Sequence, residues 1–82
     1  MANTVVWDPS AQNKLTILWI TAPDRQAVTD AANRIDQLLK FYPDMVGQEY
    51  GDDRLLVVEP LAVLYSYSPD DRLAVVKEVE LI

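Results

Sequence analysis

The alternation of apolar and polar positions is clearest from Arg25 to Phe41. There Val28, Ala31, Ala32, Ile35, Leu38 and Leu39 fall on one stripe at helical spacing, and polar residues fill the rest. Asp30 with Arg34 and Asp36 with Lys40 are acid-before-base pairs four residues apart, each adding a few tenths of a kcal/mol on an exposed helix face. Pro43 disfavours helical backbone at Tyr42 and ends the helix there. Ile35 and Leu38 sit on the best-defined part of the stripe and are expected to anchor the core.

Upstream the pattern is less regular. Asn3 to Trp7 is short and β-prone, the composition of an edge or joining strand. Asp8-Pro9 reads as a helix start, with Asp8 at the N-cap and Pro9 at the first helical position, where its missing N–H costs nothing. Ala11, Leu15, Leu18, Trp19 and Ala22 have helical spacing, yet KLTILWIT is rich in β-branched residues and resembles a strand. The start signal decides for a helix. Pro23-Asp24 interrupts it, so two helices joined by a short turn should lie antiparallel.

Pro43 to Asp53 reads as a polar loop holding both glycines, Gly47 and Gly51. The most apolar block follows, from Arg54 to Tyr67, split at Glu59-Pro60 into two strands because proline cannot donate to a sheet ladder. After the turn residues Ser68 to Asp71 comes a third strand, Leu73 to Leu81, with a face of Leu73, Val75, Val79 and Leu81 interrupted by Lys77. The expected layout is α+β, in the order β-α-α-β-β-β. One domain over residues 1–82 then has a helical hairpin on one face of an antiparallel meander. Leu55 and Val57 fall on one sheet face, Leu56 and Val58 on the other, with Val75 beside Val76. Helices cover one face only, so the other should keep an apolar patch.

Composition narrows the chemistry. The 82 residues include no Cys and no His, which removes disulfides, thiolate metal sites, the usual general base and the commonest metal ligand. No metal and no cofactor is expected. No apolar run approaches the ~20 residues that span a bilayer, and the absence of a signal peptide and of cysteine points to the cytoplasm. The net charge of −6 lies wholly in residues 41–82, while residues 1–40 are balanced. Such a strand half repels phosphate backbones and attracts basic polypeptides, so direct DNA binding is not expected.

The element order and several residues together resemble the RelE/ParE superfamily of toxins from bacterial type II toxin–antitoxin systems, which includes plasmid stabilisation proteins. The likeness rests on a first strand ending in Trp7, and on Ile35 and Leu38-Leu39 ahead of Pro43 and Gly47. It continues through Arg54 opening a strand, Pro60-Leu61 leading into Val63-Leu64-Tyr65, and an acidic turn, Asp70-Asp71-Arg72, before a valine-rich last strand. It implies a small antitoxin as partner. It also implies either of two targets: the ribosome, where RelE-like members cut messenger RNA without a metal, or DNA gyrase, which ParE-like members poison.

The resemblance marks Arg54 as the arginine that helps hold phosphate in the ribonuclease branch; the plainer alternative is a strand-end charge paired with Asp52 or Asp53. Tyr65 and Tyr67 share a strand face by alternation. Turned away from the helices, a hydroxyl there acts on RNA or stacks on a base; turned toward them, the rings are packing. Tyr65 joins Arg54 as a catalytic candidate, and Tyr67, Arg72 and Lys77 are candidate partner contacts. Against cleavage, Pro43–Asp53 has no Lys or Arg, and Glu80 stands about where the ribonucleases carry a basic residue. Three readings follow: a toxin-family component that binds an antitoxin, a protein-binding module without toxicity, and an endoribonuclease with an unusual site. A homodimer is a further way of hiding the apolar face.

Overall fold

A computed structural model describes residues 2–82. Its elements are β1 (Thr4–Trp7), α1 (Pro9–Thr21), α2 (Arg25–Phe41), β2 (Gln48–Tyr50), β3 (Asp53–Val58), β4 (Leu61–Ser68) and β5 (Leu73–Leu81). The five strands form one sheet in the order β1-β5-β4-β3-β2. The helical hairpin lies on one face of it, α1 against β5 and α2 against β1, β3 and β4.

Both helix starts fall where the sequence places them, by different means. Asp24 caps α2 by accepting from the Ala27 N–H at 3.1 Å. Asp8 occupies the N-cap of α1 without a side-chain bond, and Pro9 supplies the fixed φ of the first turn. The acid–base pairs expected along α2 do not form. Asp36 instead accepts from the Trp7 indole at 2.7 Å, tying α2 to β1, and Asp30 accepts from Gln26 at 2.9 Å.

The core is a single layer between hairpin and sheet. Ile35, Leu39, Leu61, Tyr65, Ala74 and Val76 are wholly buried there. Leu39 takes the position expected of Leu38, which is only half-buried, because it points more directly at the sheet.

The α+β layout and the antiparallel meander of the last three strands hold, β1 joins it parallel to β5 to make the sheet mixed, and two expectations are corrected. The segment read as a loop contains β2, whose Gln48 to Tyr50 pair with β3 through a two-residue turn at Gly51-Asp52. Gly51 has φ 63°, the left-handed conformation that such short connections need. The inward residues of β5 are Ala74, Val76 and Val79, not the expected Leu73 and Val75. Leu64 pairs with Glu78 but Tyr65 with Val76, so Lys77 is an extra residue in the ladder and the strand changes face there.

Candidate functional site

Arg54 and Tyr65 are cross-strand partners on the helix-facing side of β3 and β4. Tyr65 is wholly buried, and its hydroxyl lies 2.7 Å from the Pro43 carbonyl and 2.9 Å from that of Val46. A phenol has one proton to donate, so the two carbonyls share it. Arg54 donates Nε to the Val46 carbonyl at 3.1 Å and Nη2 to the Gly47 carbonyl at 3.2 Å. Both side chains thus clasp the turn between α2 and β2. Gly47 completes the clasp with φ 74°, and a Cβ there would come within 2.8 Å of the Leu55 carbonyl oxygen. No side chain fits that approach.

Burial raises the pKa of the Tyr65 phenol above 10.0, outweighing the hydrogen bond and positive charge of Arg54, and the Asp44 carboxylate pushes it the same way. The group stays protonated at neutral pH and donates to the loop.

On the solvent side of Arg54 lies an open bowl of about 350 Å³, walled by Asp44, Glu49, Asp52, Asp53 and Tyr67. Four carboxylates around one guanidinium make it a poor seat for a phosphate. The alternative pairing of Arg54 with Asp52 or Asp53 is not made either, since Asp53 bonds Lys77 at 3.0 Å. Lys77 reaches this contact across β4 from the extra position in β5. Tyr67 donates to Asn3 Oδ1 at 3.0 Å, and Asn3 Nδ2 donates to the Lys40 carbonyl at 3.0 Å, linking β4 through the start of β1 to the end of α2. Arg72 closes the β4–β5 turn with φ 50°, and its carbonyl accepts from Thr4 at 2.8 Å. Arg54, Tyr65 and Tyr67 therefore gather at one end of the covered sheet face, while Arg72 lies in the β4–β5 turn and Lys77 at the β5 irregularity.

The opposite sheet face has no covering element among the described residues. Leu55, Leu64 and Glu78 form one cross-strand row, and Val57, Ala62 and Glu80 the next. Leu55, Ala62, Leu64, Glu78 and Glu80, with Tyr50, surround a hollow of about 180 Å³ that has an aliphatic floor and carboxylates on one side, and Val57 lies outside it. Val57 is 52% exposed and Tyr50 62%. Glu80 is bonded by Lys14 at 3.3 Å, and Glu78 is in no ion pair among the described residues. The sequence indicated the aliphatic half of this surface; Tyr50 was hidden by reading its segment as loop, although Glu49-Tyr50 followed by Gly51-Asp52 is a strand and hairpin-turn pattern.

No family model and no curated protein matches the chain by sequence. Solved structures do match by shape. A chain of the RelBE2 toxin–antitoxin complex of Mycobacterium tuberculosis superposes with a TM-score of 0.79 at 13% identity, covering 100% of this chain and 93% of that one. A chain of the chromosomal ParDE toxin–antitoxin system of P. aeruginosa gives 0.75 at 14% identity, over 98% of this chain and 96% of that one. The isolated E. coli RelE toxin gives 0.69 at 12% identity, over 98% and 84%. The fold is that of the RelE/ParE toxins.

Proposed function

We propose that this chain is a polypeptide-binding component of a toxin–antitoxin pair, with its open sheet face as the receptor for a basic, partly apolar partner segment. The observation that carries this reading is the aliphatic hollow bordered by Glu78 and Glu80, on a strand half that holds the entire net charge of −6. An apolar side chain from the partner fills the hollow, and a neighbouring Lys or Arg meets Glu78. Two of the structures sharing the fold come from toxin–antitoxin systems, which supports an antitoxin as that partner. A cytoplasmic setting belongs to the same reading, as does gyrase or the ribosome as a binding target without cleavage of message.

Arg54 and Tyr65 act in this proposal as the clasp of the turn after α2, not as catalysts. Transition-state stabilisation needs donors free to meet developing charge, and a positioned acid or base with a pKa near the working pH. Arg54 spends Nε–H and one Nη2–H on carbonyls and turns the rest toward a bowl of four carboxylates that oppose phosphate, and Tyr65 is buried with its pKa raised. Arg72 and Lys77 flank the receptor face as secondary partner contacts, whereas Tyr67, on the covered face and bonded to Asn3, is left out of that role.

The test is to co-purify the full chain with the product of any small gene found next to its own, beside Leu55→Glu and Leu64→Glu variants and a cell-free translation assay. The proposal expects a complex lost in both variants and no cleavage of message. A complex unaffected by either variant, or ribosome-dependent cleavage abolished by Arg54→Ala, would overturn it.

A further inference from the structure

A second apolar surface lies on the other side of the molecule, and its charge pattern is the opposite of the sheet's. α1 carries a single charged residue in thirteen, Lys14, and that one is bonded to Glu80. Ala11 and Leu18 turn to the core, which by helical spacing sends Asn13, Thr16, Ile17 and Ile20 away from it. Ile17 is 56% exposed and Ile20 54%. Beside this ridge runs a groove of about 380 Å³ between α1 and α2, lined by Leu15, Trp19, Val28 and Ala32 with only neutral polar neighbours. Trp19 is held across it by its indole bond to Thr29 at 3.0 Å, and Arg25 stacks on the ring at 4.9 Å, a cation at the rim.

We infer that this neutral ridge and groove form a homodimer interface, in which a second copy of the chain seats its Ile17–Ile20 ridge in the first copy's groove and receives the first copy's ridge in its own. A twofold contact requires each patch to carry both the projection and the recess, and adjoining ridge and groove on one hairpin meet that requirement. Charge selects the occupant. Two chains of net charge −6 repel, so they associate most readily where neither presents a carboxylate. The ridge and groove lining present none, whereas the sheet face presents Glu78. A basic partner gains nothing from the α1 surface and a second copy loses little there.

Size sets the strength. α1 is about 20 Å long, and with α2 alongside at about 10 Å the two-helix face offers an area on the order of 400 Å². Ordinary stable complexes bury about 800 Å² per partner. The dimer is therefore weak and concentration-dependent.

Sedimentation equilibrium of the full chain over a wide concentration range, at low and high salt, tests the inference. The expected result is a reversible shift from 9.3 kDa to twice that mass, strengthened by salt because screening relieves the repulsion. Ile20→Lys should leave a folded monomer at every concentration, and Val57→Lys, on the open sheet, should not impair dimerisation. Since the chain has no cysteine, an Ile20→Cys chain mixed with a chain carrying Asn33→Cys in the groove lining should give a covalent dimer under mild oxidation, and a Val57→Cys chain mixed with the same partner should not. A chain that stays monomeric throughout overturns the inference. So does a dimer that survives Ile20→Lys or cross-links only through Val57→Cys.

Discussion

The two faces of the sheet draw on the same strands and nearly the same residue types, yet they are put to different uses. On the covered face Leu61, Val63, Tyr65, Val76 and Val79 meet the helical hairpin and lose contact with water. On the open face Leu55, Val57, Leu64 and Val75 are equally aliphatic but have no covering element among the described residues and stand among carboxylates. Hydrophobicity alone therefore does not distinguish core from receptor in this protein. What distinguishes them is the reach of two helices, which can cover one face of a five-stranded sheet and not both.

Truncation on the covered face should have the largest effect. Leu39→Ala removes a wholly buried side chain and should cost about 2–5 kcal/mol in urea denaturation. Val57→Ala on the open face should stay within ~0.5 kcal/mol. Equal losses would mean that the open face is covered in the free protein.

The clasp comes next. Gly47→Ala forces a side chain into positive φ against the Leu55 carbonyl and should cost roughly 1–3 kcal/mol. Tyr65→Phe strands the Pro43 carbonyl, leaves that of Val46 to Arg54 alone, and should cost about 1–3 kcal/mol. The phenol also gives a pH signature. Its folded pKa lies above the ordinary 10.0, so the folded chain holds a proton that the unfolded chain releases. The stabilisation is complete below about pH 10 and falls as pH rises from there toward the folded value. Alkaline denaturation of Tyr65→Phe should show a smaller loss over that window; an unchanged curve would place the hydroxyl in water.

A smaller effect than that of the clasp belongs to the Lys77–Asp53 pair, whose side chains are 44% and 19% exposed. Lys77→Ala should cost at most ~1 kcal/mol, less in high salt, by thermal denaturation. A larger, salt-independent loss would show that the irregularity in β5 depends on this contact.

The parts of this contrast that could be read from sequence are those set by local rules. The stripe from Val28 to Leu39, the breaks at Pro9, Pro23 and Pro43, and the split at Pro60 all act within a few residues of themselves. The parity of Leu55 to Val58 likewise predicts an apolar row on each side of β3. Features depending on distant partners could not be read. The β1–β5 pairing joins residues nearly seventy positions apart, and Asp36 left its helical neighbour for the Trp7 indole. The role of Arg54 and Tyr65 was equally out of reach, because it depends on carbonyls whose positions the turn at Gly47 sets. α1 gave mixed signals for a reason that the structure makes plain: it is apolar both where it meets β5 and where it meets solvent.

The most direct measurement is a titration of the isotope-labelled chain with the adjacent-gene product, followed by backbone amide and methyl NMR. The account predicts shifts concentrated at Leu55, Val57, Leu64 and Val75, while the clasp at Pro43 to Gly47 stays unchanged. Shifts centred on Arg54 and the 43–47 turn, or no shifts at all, would contradict it.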